Sequence, residues 1–328
     1  MFKIRLPKKI KKITLVLIVA PMLYAATFGV LAYGVYSLGW YGATTGAISR
    51  VFPLPVMIVN YRPIYFSEFH RRELGFTVRI LEQLNEPGYL KTEGGLKTLN
   101  EKQAFGLDIL ISEEFVRQYA ELSGIDVEDD QVDEVYDKLV AENGGEETWN
   151  TSLKQDLGWS PNYFKRILKL ELVKEKMNES LCTRDDEERK KLADEVLELS
   201  KAEKADFDAL ARQFSEHETA EAGGLIGAIE IATGELEDGE MDPELSPDVF
   251  SFIESGQQGA IELKKGCAGY LILKMDKKSS SSATVRVIVV STMDVTELEE
   301  EWRSRSRIIV LPDAFYYDEE SGSVKIKE

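Results

Sequence analysis

Two histidines, His70 and His217, and two cysteines, Cys182 and Cys267, are all the imidazole and thiol chemistry in 328 residues. His217 lies in QFSEHETAEAGGLIGAIE, residues 213–230, and is the only ionisable ring of that polar, glycine-bearing loop. It is the candidate catalytic residue, with plain solvation as the alternative reading. Two histidines exclude a histidine metal cluster, and exclude a two-histidine pocket unless the two converge. His70, beside Arg71 and Arg72, reads as an exposed helix residue. The cysteines match no metal-ligand spacing. Ordinary thiols are the simpler reading for them, with a disulfide open outside the cytoplasm. No Cys-x-x-Cys or nucleophile motif occurs, so hydrolase and redox roles lack support, and neither cofactor nor metal is expected.

The elements that must position this loop follow an apolar N-terminal segment. Residues 1–12, MFKIRLPKKIKK, carry six basic residues, and no charge appears from Ile13 through Ser49. Residues 13–40 are longer than the roughly 20 needed to span a bilayer and longer than a secretory apolar region. The expectation is an uncleaved anchor, N-terminus cytoplasmic, with the bulk of the chain outside the cell membrane. Tyr33, Tyr36, Trp40 and Tyr41 then fall near the outer interface. Beyond residue 12 the chain holds 34 basic and 58 acidic residues, a net of −24, which argues against nucleic acid.

Residues 41–54 read as a juxtamembrane spacer, and 55–182 as a mostly helical module. A short strand at Val56 and Ile58 turns at Asn60 into a helix near Ser67. Residues 87–100 form a glycine-rich break. The spacing of Leu107, Ile111, Phe115, Tyr119 and Leu122 predicts one apolar helical stripe. Ser160-Pro161 predicts a helix start. Residues 183–276 form a second unit: two helices with Leu192, Val196 and Leu199 inward, glycines at 223, 224, 227, 234 and 239, then two strands joined at Lys264-Lys265-Gly266. Residues 277–283 read as a flexible serine-rich linker. Residues 284–328 read as strand, helix, strand, completing either the second unit's sheet or the helical module. The fold class expected is α+β.

Two runs carry family resemblances. PVMIVNYRPIYFSEF, LDILISEEFVRQYAELSGIDVEDDQVDEVY and YFKRILKLELVKEKM resemble the chaperone domain of SurA, PpiD and PrsA-type extracytoplasmic folding factors. DFDALARQFSEHETAEAGGLIG, GEMDPELSPDVFSFIESGQQG and AGYLILKM resemble a parvulin-type peptidyl-prolyl isomerase domain. The resemblance implies an apolar pocket that grips the proline ring, flanked by two histidines and a Cys or Asp. Carried over by position, Met241, Leu245 and Phe250 fall on the pocket, and His217 on the Cys or Asp. Leu271 stands where the family's GYHI motif has its second histidine. The first histidine belongs on a strand ahead of the helices, and no such strand precedes Asp185. TVRVIVVST resembles that strand displaced to the end, with Val287 at the histidine position; the family's first and last strands are neighbours.

The function implied is a membrane-anchored holdase whose parvulin-like domain binds extended or proline-containing segments with weak or absent isomerase activity. Unfolded or nascent secreted and envelope polypeptides are its expected partners. Two alternatives stand beside it: an active isomerase built around His217 and Met241, and a non-catalytic scaffold tethering one envelope partner.

Overall fold

The computed structural model describes residues 8–233, 235–236 and 241–327, the side chains of residues 8–16 and 18 excepted. Residues 1–7 of the basic tail, and Gly234 and Gly239 of the glycine cluster, lie outside the described residues. The chain divides into two compact units, residues 1–173 with 299–328, and residues 174–298. Helices combine with small antiparallel sheets, the α+β class expected.

The first unit opens with α1 (Lys8–Tyr36), whose stretch Val19–Tyr36 has a mean hydropathy of 1.4 and is long and apolar enough to cross a membrane. The helix stops at Tyr36 because Gly39 turns the chain at φ 64° and the Trp40 N–H returns to the Gly34 carbonyl, laying the indole over Gly34. What followed as a spacer in the sequence is folded: α2 (Ala43–Ser49) sets Gly46 against the His70 ring, and Ser49 and Leu54 are buried. His70 is thus half-buried rather than exposed, and burial pushes its imidazole pKa down.

β1 (Pro55–Val59) and β2 (Arg62–Tyr65) form a hairpin whose turn residues, Asn60 and Tyr61, both have positive φ, 49° and 69°. That is the geometry a two-residue hairpin needs to match strand twist. The chain continues through α3 (Phe66–Phe69), a π-helical turn at His70–Leu74, and α4 (Gly75–Leu84). The glycine-rich break is shorter than residues 87–100, because the Thr92 hydroxyl accepts the Gly95 N–H and starts α5 (Glu93–Ser123). Leu107, Ile111 and Phe115 are fully buried, whereas Leu122 is 86% exposed; Val116, Gln118 and Ala120 carry the buried face there. α6 (Asp129–Glu142) and α7 (Glu146–Ser152) precede α8 (Pro161–Thr183), at whose start Ser160 Oγ accepts the Tyr163 N–H.

In the second unit, α9 (Glu187–Lys201) and α10 (Phe207–Phe214) are capped by Asp186 and Asp206. On α9, Ala193 and Val196 face inward while Leu199 is 48% exposed, contrary to the stripe expected. Then come β3 (Leu225–Glu230), α11 (Ser246–Ser255), β4 (Ile261–Gly266), β5 (Gly269–Lys278) and β6 (Ser282–Val290). β4 turns into β5 at Cys267-Ala268, later than the Lys264-Lys265-Gly266 expected. The serine run is no flexible linker but a tight turn between β5 and β6. Ser279 Oγ accepts the N–H groups of Ser281 and Ser282, and its own N–H donates to the Ser282 carbonyl. Cys182 and Cys267 are joined in a disulfide, not left as thiols.

The sheet of this unit has the order β3-β6-β5-β4, with every neighbouring pair antiparallel. β6 is therefore an inner strand, lying between the first and last strands of the parvulin-like run. One face packs under α11 through Leu271, Leu273, Val285, Val287 and Val289; the other packs on α9 and α10 through Ile272, Ile288 and Val290.

The chain then returns to the first unit through α12 (Val295–Arg305), β7 (Ile308–Val310), β8 (Phe315–Asp318) and β9 (Ser323–Ile326). β7 joins the hairpin to give the order β2-β1-β7, and β8 pairs with β9. Trp302 tilts against Phe115, centroids 5.3 Å apart, and Arg303 donates to Ser112 Oγ at 2.8 Å. β6 is thus part of the second unit's sheet, and residues 299–328 belong to the first unit.

Candidate functional site

The loop bearing His217 is built on β6. The Val289 N–H donates to Ser215 Oγ, the Val289 carbonyl accepts from Glu216, and the Val287 N–H donates to the Gly224 carbonyl. Gly223 and Gly224 have φ of 67° and 75°. A side chain at Gly224 would run into the Val287 carbonyl, so only glycine permits this approach.

Within the loop, the His217 ring is only 12% exposed and both of its nitrogens are engaged. Nδ1 accepts the Thr219 N–H at 3.3 Å and lies 3.0 Å from Thr219 Oγ1, capping the 3₁₀ turn Glu218–Ala222. With Nδ1 accepting, the proton of a neutral ring sits on Nε2, which faces Asp242 Oδ2 at 3.2 Å. Asp242 in turn accepts from the Glu244 N–H, and its carbonyl accepts from Leu245 and Ser246 ahead of α11. His217 is a tie between two loops rather than a solvated side chain. Its replacement by alanine removes a cap and a hydrogen bond and leaves a partly exposed Asp242 to water. Thermal unfolding of His217→Ala should therefore show a loss of about 1 kcal/mol.

That tie fixes the segment bearing Met241 and Leu245 over the sheet. The structure brings all four expected pocket residues into one apolar cluster: Leu245 and Leu271 are fully buried, and Met241 and Phe250 pack half-buried against them. The fully buried phenylalanine of α11 is Phe252. Met241, Phe250, Ile226 and Leu236 are among the half-buried members of this cluster, with Leu245 and Leu271 as the buried layer beneath. Where the family carries histidines, Val287 pairs with Leu273 and Leu271 with Val289, all buried. The floor is hydrocarbon, and among the described residues His217, Thr219 and Asp242 form a hydrogen-bonded polar group at the loop. Sequence reading missed Thr219 and Asp242. Asp242 lies 25 residues from its partner, and no periodicity marks such a contact; its place beside Met241 was the one available signal.

The first unit contains a separate groove of about 300 Å³ between α5 and α8. Ala120, Ile125, Ile167, Leu170 and Val173 line it, and Glu68, Arg117, Glu121, Arg166 and Lys169 surround it. An apolar base with charges of both signs suits an extended polypeptide better than a small hydrocarbon.

Residues 172–277 match the family described as Rotamase, the PPIC-type PPIASE domain. The second unit therefore carries the parvulin-type domain that DFDALARQFSEHETAEAGGLIG resembles, and the matched stretch ends before β6 begins. Among solved structures, the chain is similar to one described in a study of PEB4 and Cj1289, two SurA-like chaperones of Campylobacter jejuni. The identity is 14%, covering 78% of this chain and 99% of that one, with a TM-score of 0.27. PrsA from Bacillus subtilis is similar at 16% identity, covering 65% and 79%, with a TM-score of 0.22. No curated protein matches.

Proposed function

We propose that the protein is a membrane-anchored, extracytoplasmic folding factor. It holds unfolded secreted or envelope polypeptides, and its parvulin-type domain grips proline-containing segments without accelerating their isomerisation. The observation that carries this reading is the hydrocarbon floor formed by Leu271, Leu273, Val287 and Val289 under a loop whose imidazole is fully hydrogen-bonded. Twisting a prolyl amide means holding the twisted form better than either planar isomer. A purely apolar seat grips the ring in all of them and so binds without discriminating. Three further features support the setting. The Cys182–Cys267 disulfide fits an oxidising compartment. The α1 stretch Val19–Tyr36 suits a bilayer, and the strongly acidic chain beyond it would keep loaded complexes soluble.

The test is aggregation of a chemically unfolded client in the presence of the full chain, held in detergent or nanodiscs. Near-equimolar protein should suppress light scattering, and Phe250→Asp, at the rim of the cluster, should weaken the suppression several-fold. Unchanged scattering at tenfold excess would sink the holdase reading. Capture of one stoichiometric partner with no suppression would favour a scaffold.

A further inference from the structure

We infer that residues 43–53, comprising α2 and the turn after it, are embedded in the outer leaflet of the bilayer, so that the first unit is seated in the membrane and not held away from it. This rests on the reading of α1 as a membrane span.

The argument is one of length. The C-terminal half of α1 is part of a protein core: Leu31 and Val35 are buried, and Phe28, Ala32 and Tyr36 pack beside them against the cluster containing Leu54 and Phe69. From Tyr36 the chain turns back along the helix. Trp40 covers Gly34, and Phe52 stacks on Tyr24 with ring centroids 4.7 Å apart. Protein therefore flanks α1 down to Tyr24, about 18 Å below its end at 1.5 Å per residue. If all of that stood in water, only residues 13–23 would remain to cross the bilayer. They reach about 16 Å, against a hydrocarbon core of about 30 Å. A full crossing that starts at Ile13 ends near Ala32, which puts the level of Tyr24 and Phe52 inside the outer leaflet.

The surfaces fit that depth. The face of α1 turned from the core is apolar and open, with Met22, Leu23, Val30 and Tyr33 all at least 60% exposed. On the returning segment, Ile48 is 39% and Val51 69% exposed, so two apolar side chains that water would disfavour point away from the body. Arg50 is the one charged residue of the segment, and its long stem allows the guanidinium to reach the headgroups. Tyr33 and Trp40, 62% and 43% exposed, fall at the level where aromatic side chains favour the interface.

The test uses the full chain reconstituted in phosphatidylcholine–phosphatidylglycerol vesicles, its native cysteines occupied by their disulfide. Single substitutions Ile48→Cys, Val51→Cys, Leu23→Cys and Glu320→Cys are exposed to a membrane-impermeant maleimide from outside, with SDS-denatured samples setting full reactivity. The result expected is labelling of Glu320→Cys alone, with Ile48→Cys and Val51→Cys protected at least tenfold. Labelling of Ile48→Cys and Val51→Cys with Leu23→Cys protected overturns the seating and leaves the anchor intact. Labelling of Leu23→Cys overturns the anchor and the seating together.

Discussion

A second unit cut at Lys277, where the family match ends, should fail to fold, while residues 174–298 should unfold cooperatively. The difference is β6. It pairs with β3 on one side and β5 on the other, and it buries Val285, Val287 and Val289 on one face of the sheet and Ile288 and Val290 on the other. Five such side chains at about 2 kcal/mol each amount to about 10 kcal/mol, comparable to the whole stability of a small domain. The loss also strips β5 of its inner partner and removes the backbone groups that hold Ser215, Glu216 and Gly224. Far-ultraviolet circular dichroism through a thermal ramp reads the result directly. A sigmoidal melt from residues 174–277 would mean that β6 is not what closes this sheet.

Replacing Arg117 by methionine should cost about 2–3 kcal/mol at neutral pH. Arg117 reaches three carboxylates, Glu68 at 3.2 Å, Glu113 at 3.1 Å and Glu114 at 3.4 Å, and the last two side chains are under a tenth exposed. Arg72 also serves Glu113, at 2.8 Å, and Gln118 donates to Glu114 at 2.9 Å, so each keeps one good donor after the change. What is lost is the charge that balances a desolvated cluster, and breaking such a cluster costs more than it contributed in forming. Arg117 is itself one-third exposed, which keeps the effect at the lower end. The exposed pair Lys165–Asp133 is the comparison: Lys165→Met should change stability by less than about 1 kcal/mol. Urea unfolding at neutral pH measures both. A deficit below 1 kcal/mol would contradict the account.

Much of this was legible in the sequence where a pattern is local. The stripe Leu107, Ile111, Phe115 marked a buried helix face, Ser160-Pro161 marked a helix start, and alternating β-branched residues marked β6 as a strand. That β6 lies between β3 and β5 was only one of the two placements the sequence left open, because a neighbour relation between strands leaves no local pattern. What stayed hidden was set by contacts remote in sequence. Cys182 and Cys267 are 85 residues apart, and nothing in either neighbourhood names the other. His217 looked solvated because its partner, Asp242, lies across the sheet unit. Hydropathy makes no distinction between lipid and protein as an apolar neighbour, so the buried Leu31 and Val35 read the same as the exposed Met22 and Leu23. The serine run looked like a linker because a turn held by hydroxyl groups has the composition of a flexible segment.

The central claim is that the second unit kept the grip on proline-like segments and lost the chemistry. The uncatalysed barrier, about 18–20 kcal/mol, makes the isomerisation slow enough to follow by hand mixing. The measurement is protease-coupled isomerisation of a prolyl peptide by the full chain at micromolar concentration, beside His217→Ala and Met241→Ala. The account predicts no acceleration above the spontaneous rate in any of the three. Acceleration by the unaltered chain that vanishes in either variant would contradict it, and would make the loop at His217 an active site.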